Sequence, residues 1–191
     1  TAFENARKIT TIVFDKTGTL TVGKFDVSKI VSLKEGFTEN EIIRLAAALE
    51  QNSEHPIATG ILKKAKDLSI SIPLTESFNA ITGKGIEATV EGKKVLVVSP
   101  GYLKENNMAI PDTFKANDTE TAVFLILENA LAGYIALSDE LRPESADAIK
   151  TLKQNNIKSI LLTGDNQRVA KSVSEALGME SFMAEVLPHQ K

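Results

Sequence analysis

An aspartate at the end of an apolar run, followed by a lysine, three threonines and a glycine, is a set of groups that can accept a phosphoryl group. The seven residues Asp15-Lys16-Thr17-Gly18-Thr19-Leu20-Thr21 follow Ile12-Val13-Phe14, which reads as a buried strand. Open α/β sheets place their reactive groups at the carboxyl ends of strands, so Asp15 stands where a nucleophile belongs. Gly18 lets the backbone turn tightly beside it. Lys16 and the hydroxyls of Thr17, Thr19 and Thr21 supply the cation and donors that a transferring phosphoryl group needs. A polar turn after a strand would use the same residue types.

Three further groups are candidates. Thr163-Gly164-Asp165 directly follows the apolar run Ile157–Leu162. Parallel pairing of that strand with the first would bring it beside Asp15. There the Thr163 hydroxyl and the Gly164 amide can bond phosphoryl oxygens, and Asp165 can orient Lys16 or a ribose. The same residues fit a strand-to-helix turn capped by Asp165 or Asn166. Glu50-Gln51-Asn52-Ser53-Glu54-His55-Pro56 lies between two helical patterns and holds one of only two histidines. Read alone, Ser53 would cap the second helix and His55 would be an exposed loop residue. Gly83-Lys84-Gly85 follows a predicted strand, where glycines let a backbone approach a base or a phosphate. Gly18 to Lys24 also has the spacing of a P-loop, but Phe25 stands where the metal-binding hydroxyl belongs, and that reading fails.

The elements that must position these groups change character along the chain. Lys8 to Phe14 reads as a strand, and Val27 to Leu33 as another. A helix follows, with Thr38 and Glu41 as a capping box and Ile42, Leu45, Ala46 and Leu49 on one face. A second helix runs from Pro56 to Leu68. Ser77–Ile81, Ile86–Val90 and Lys93–Val98 then read as strands, with a tight turn at Glu91-Gly92. Ser99-Pro100 starts a short helix. Ala122–Leu127 and Ala130–Leu137 form a hairpin around Glu128-Asn129. Pro143 begins another helix, which Asn155-Asn156 can end, and Gln167 to Leu177 a last one, stopped by Gly178. The pattern predicts an α/β domain interrupted by a small antiparallel α+β domain. The boundaries fall at 1–25 with 138–191 for the first and 26–137 for the second, with hinge strands near 22–26 and 138–143.

The 191 residues are enough for one large domain or two small ones, and an apolar fraction of 42% supports a real core. A net charge of −3 points to neither nucleic acid nor an anionic membrane. With no cysteine there is no disulfide framework or thiolate metal site. No segment reads as a membrane span or signal peptide.

Asp-Lys-Thr-Gly-Thr-Leu-Thr resembles the phosphorylation loop of the P-type ATPases, ion pumps that form an aspartyl-phosphate. The resemblance implies a haloacid-dehalogenase-like Rossmann phosphorylation domain, truncated at its C-terminal end, with an inserted nucleotide-binding domain. It implies ATP as substrate, Mg²⁺ as cofactor and catalytic roles for Asp15, Lys16, Thr17, Thr163, Gly164 and Asp165. Ala184 to Lys191 resembles the segment ending in the family's core lysine, which makes Lys191 the group that neutralises the transition state. The Gly-Asp-Gly-x-Asn-Asp segment that comes next in the family does not occur here. The implied metal ligands are therefore the Asp15 carboxylate and the Thr17 carbonyl, completed by phosphate and water, and the chain by itself should phosphorylate poorly. Related phosphatases carry a second aspartate two residues after the nucleophile. Threonine at position 17 cannot deprotonate water, so the aspartyl-phosphate should persist.

Glu50 to Pro56 resembles the Ser-x-His-Pro element of the heavy-metal-transporting branch. There the histidine stacks on or bonds adenine, and the glutamate contacts its amino edge, which implies roles for Glu50, Ser53, His55 and Pro56. Gly83 and Gly85 match the Gly-x-Gly that comes after it. Ser99 stands where the family has asparagine, so either its hydroxyl takes over a phosphate-side contact or the contact is lost. Asp139-Glu140-Leu141-Arg142-Pro143 resembles the family's hinge motif, with Asp139 and Arg142 reaching ribose and phosphates or simply charging a helix N-terminus. Val98 to Leu103 resembles the copper-pumping branch. The resemblance thus implies a cytoplasmic piece of a membrane protein, partnered by actuator and transmembrane domains. The alternatives are a phosphatase of the same superfamily and a nucleotide-binding fragment without catalysis.

Overall fold

The computed structural model describes residues 8–111, 114 and 120–186, which divide into two compact units. One comprises the chain up to Gly23 and from Asp139 onward, the other Lys24–Ser138.

The first unit is built on a parallel sheet of three strands: β1 (Thr11–Asp15), β8 (Lys158–Leu162) and β9 (Ser181–Met183), in the order β1-β8-β9. β1 begins at Thr11, three residues after the expected start. β9 is not evident in the sequence, because three residues are too few to set a period. Helices α4 (Pro143–Gln154) and α5 (Gln167–Leu177) belong to this unit. Asn166 caps α5, accepting from the amides of Arg168 and Val169, both at 3.0 Å. The core gathers Leu20, Ile149, Leu161, Val169, Val173 and Leu177.

The second unit holds a sheet of six strands in the order β2-β7-β6-β5-β4-β3. Its strands are β2 (Thr21–Ser32), β3 (Thr75–Ile81), β4 (Gly85–Val90), β5 (Lys93–Val98), β6 (Glu120–Leu127) and β7 (Ala130–Leu141). β2 and β7 are longer than the periodicity predicts and carry the chain between the units. The β4–β5 and β6–β7 pairs close on the predicted turns, with Glu91, Gly92, Glu128 and Asn129 all at positive φ. β6 and β7 are buried along most of their length, which explains their unbroken apolar runs.

One core contains α1 (Glu39–Glu50) and α2 (Pro56–Asp67), with Ile42, Ile43, Leu49 and Ile61 fully enclosed. A second contains Leu103 of the short α3 (Pro100–Glu105) with Phe124 and Tyr134. Phe114 meets both rings edge-on at 5.0 Å. The capping box of α1 is present: Thr38 accepts from the Glu41 amide, and Glu41 reaches back to the Thr38 amide at 2.8 Å. Among the described residues no helix is long and apolar enough to cross a membrane.

Candidate functional site

The nucleophile loop is held from the β1 side by strand register. Asp15 is the last residue of β1 and lies opposite Leu162, the last residue of β8. The parallel pairing therefore delivers Thr163-Gly164-Asp165 to the same sheet end as Asp15. Residues 16–20 then form a tight turn with Gly18 at φ +76°.

Lys16 is 3% exposed and ion-paired with Asp165. The same Asp165 oxygen accepts the Thr163 hydroxyl at 2.7 Å, and the Thr163 Oγ1 accepts the Asp165 amide at 3.1 Å. Of the two roles open for Asp165, it is the cation beside the nucleophile that it touches. The turn is fastened to the end of β9 and the residues after it: Thr163 N donates to Met183 O, Glu185 N to Asp165 O and Val186 N to Thr163 O. Lys191 lies outside the described residues.

Asp139 and Arg142 meet the nucleophile loop. Asp139 accepts the Thr21 hydroxyl at 2.5 Å with one oxygen and the Gly23 amide at 3.0 Å with the other. Arg142 donates from Nε to Thr21 O at 3.0 Å, from Nη2 to Gly18 O at 3.4 Å and from its backbone amide to Leu20 O. Ser145, buried in the first turn of α4, donates its hydroxyl to Leu20 O at 2.9 Å. Sequence reasoning passed over Gly23 and Ser145, and no local pattern marks either as part of this site.

In the second unit, Glu50 is the last residue of α1 and is 2% exposed. Its Oε2 is buried with no hydrogen-bond partner among the described residues. Burial pushes its carboxyl up to about 7, against which a side-chain hydrogen bond with Ser53 pulls down. An orphaned buried oxygen of this kind is costly unless a donor arrives to meet it.

His55 caps α2: its Nδ1 accepts the Ile57 amide at 3.4 Å. The expected alternative, Ser53 as the cap, does not hold. Ser53 instead accepts the His55 amide at 3.2 Å and fixes the approach to the helix. Pro56 occupies the first helical position. An acceptor Nδ1 places the ring proton on Nε2, which makes the exposed edge of His55 a donor.

Ile81–Lys84 forms a turn closed by Lys84 N donating to Ile81 O, with Gly83 at φ +68°. Gly85, at φ +146°, has a reason inside the fold: a Cβ there would collide with Val97 O and the Cα of Val98. Ser99 is joined to this turn, its amide donating to Lys84 O at 2.8 Å while its hydroxyl caps α3. The structure thus brings Ser99 and Gly83–Gly85 together. The Lys84 side chain pairs with Glu105. No group of three or more His, Cys, Asp or Glu arranged to hold a metal occurs among the described residues.

A family profile described as haloacid dehalogenase-like hydrolase matches residues 9–189. The chain is 44% identical, over its whole length, to a copper-exporting P-type ATPase B of Archaeoglobus fulgidus, of which it covers 28%. It is 40% identical to a zinc/cadmium/lead-transporting P-type ATPase of Escherichia coli, again over its whole length and over 26% of that protein. The chain therefore spans about a quarter of the length of these relatives. Among solved structures, the catalytic domain of the CPx-ATPase CopB-B matches with a TM-score of 0.77 at 25% identity, over 99% of this chain and 66% of that one.

Proposed function

The chain belongs to the haloacid dehalogenase-like hydrolase family, and on that premise we propose that it is the ATP-binding and phosphorylation unit of a heavy-metal-transporting P-type ATPase. Asp15 is the nucleophile that accepts the γ-phosphoryl group. The observation that carries this reading is the β1–β8 register, with Asp15 opposite Leu162 and the Thr163 turn immediately after it. A carboxylate, a buried ammonium and a threonine–glycine turn then share one sheet end, the set that in-line phosphoryl transfer uses.

Lys16 neutralises charge beside the reacting oxygens, held for that task by Asp165. The Gly164 amide is a donor for a phosphoryl oxygen, and Thr163 orders the turn. Lys191 is proposed as a further cation for the same group.

ATP fits the second unit through Glu50 and His55. The orphaned Glu50 oxygen suits a donor such as the adenine amino group, and His55 offers a donor or a ring face. Ser53 and Pro56 shape the turn that presents them, and Gly83, Gly85 and Ser99 form a backbone platform. Mg²⁺ keeps several waters and commonly arrives with its nucleotide. The Asp15 carboxylate and Thr17 carbonyl fit an ion of that kind, which would neutralise phosphate charge.

The proposed ion is copper, supported by the similarity to the Archaeoglobus exporter. The unit is proposed to act on the cytoplasmic side of a membrane protein, beside actuator and transmembrane domains.

The test is acid-stable incorporation of the γ-phosphate from ATP into the full-length protein, with Asp15→Asn as control. A hydroxylamine-labile phosphoenzyme that Asp15→Asn abolishes is the expected result. Label that survives this substitution, or steady turnover of p-nitrophenyl phosphate without a phosphoenzyme, overturns it.

A further inference from the structure

We propose that Asp139, Arg142 and Ser145 are positioning residues that clamp the nucleophile loop, and that they take no part in holding nucleotide. The inference rests on the reading of Asp15 as the phosphoryl acceptor. The clamp itself consists of hydrogen bonds within one unit.

The loop after Asp15 has polar backbone groups that no strand pairing uses. Residues 16–20 precede β2 and so cannot be aligned by the β2–β7 ladder. The carbonyls of Gly18, Leu20 and Thr21 are instead met by donors from a seven-residue stretch, Asp139 to Ser145. The donors are the Arg142 guanidinium, the Arg142 amide and the Ser145 hydroxyl. Asp139 works in the opposite sense and takes the Thr21 hydroxyl and the Gly23 amide, one on each oxygen. Thr21 and Ser145 are buried, and the Ser145–Leu20 bond is shielded from competing water.

The loop is folded tightly enough to need this. Gly23 sits at φ +75°, and a Cβ there would lie 3.2 Å from the Cα of Gly18. The Thr21 hydroxyl links the two ends of the loop, lying within hydrogen-bond distance of Lys16 O and the Gly18 amide, and the contacts from Asp139 to Ser145 add to these bonds from outside the loop. The clamp holds the end of the loop distal to Asp15, while the β1–β8 pairing holds Asp15 itself. In-line attack tolerates little error: a displacement of about 1 Å can cost roughly a hundredfold in rate. An aspartate with both oxygens engaged by the loop and an arginine whose Nε and Nη2 face loop carbonyls are placed to position it.

The experiment compares Asp139→Ala, Ser145→Ala, Thr21→Val and Thr21→Ser. In the full-length protein, the rate of phosphoenzyme formation at saturating ATP and the dissociation constant for ATP are measured separately. Asp139→Ala and Thr21→Val are expected to slow phosphorylation by about tenfold or more with ATP affinity within about twofold of wild type. Thr21→Ser, which keeps the hydroxyl, should restore most of the rate. In the 191-residue chain itself, hydrogen exchange at the Gly23 amide should accelerate in Asp139→Ala, which removes the acceptor. A tenfold loss of ATP affinity with an unchanged saturated rate would make Asp139 a nucleotide contact and overturn the proposal. Unchanged Gly23 exchange would also overturn it. A wild-type protein that forms no phosphoenzyme would refute the reading of Asp15, while the exchange result would still decide whether the clamp orders the loop.

Discussion

Lys16 and Asp165 form an enclosed ion pair between the loop after β1 and the turn after β8, their side chains 4% and 12% exposed. The residue next to the nucleophile is thereby tied to a motif almost 150 positions away in the chain. Such a pair is weak support for stability as a whole, but removing one charge of an enclosed pair is costly.

Asp165→Asn should accordingly destabilise the chain by about 3 kcal/mol, because the buried Lys16 loses the charge that it pairs with here. Urea unfolding monitored by circular dichroism measures this. A change under about 1 kcal/mol would mean the pair behaves as a solvated surface contact.

Glu50 makes stability depend on pH in a defined direction. Its carboxyl titrates near 7 in the fold and near 4.5 when ordinary. Between those values the folded chain keeps a proton that the unfolded chain has released. The group's contribution is therefore complete below about pH 4.5 and is lost as the pH rises to about 7, where the buried carboxylate costs on the order of 3 kcal/mol. Glu50→Gln should flatten the profile between about pH 5 and pH 8 and leave the variant more stable at the upper end. An unchanged profile in thermal melts across that range would contradict a buried, proton-retaining carboxyl.

His55 has two separable jobs. As the cap of α2 it accepts the Ile57 amide, and losing that bond costs about 1 kcal/mol. His55→Ala should lose both this stability and ATP affinity. His55→Ser keeps a capping oxygen and should recover most of the stability while still binding ATP weakly, by titration calorimetry. Full recovery of affinity in His55→Ser would reduce the histidine to a cap.

Gly85→Ala should unfold or severely destabilise the second unit without any nucleotide present, by more than about 2 kcal/mol. A Cβ there meets the Val97 carbonyl in the neighbouring strand, so the cost arises in the sheet. Thermal melts of the ligand-free variant check it. A melting curve like that of wild type would leave only a ligand-facing role for this glycine.

Thr17→Asp should shorten the life of the phosphoenzyme by about tenfold or more, since a carboxylate at that position can take a proton from water. Pulse-chase of the labelled full-length protein measures this. No change would indicate that water cannot reach the acyl-phosphate from that side.

Much of the architecture was determined by local chemistry in the sequence. Capping at Thr38, proline at 56, 100 and 143, and paired positive-φ residues at 91–92 and 128–129 act within a few residues of themselves. Their outcome can therefore be read without knowing the rest of the chain. The nucleophile loop and its family were legible for the same reason, as a contiguous run of seven residues after an apolar strand.

Tertiary structure decided which partner each reactive group takes. Asp165 could have faced a ribose or Lys16, and the β1–β8 register gives it Lys16. Asp139 and Arg142 carried no mark of their partners, because Thr21 lies 118 positions from Asp139 and only the adjacency of β2 and β7 closes that gap. The demand for glycine at 85 comes from a carbonyl one strand away, and the stranded oxygen of Glu50 from its burial at the end of α1. Hydrogen bonds and close contacts between distant segments depend on sheet order and register, which residue types within a short window do not encode.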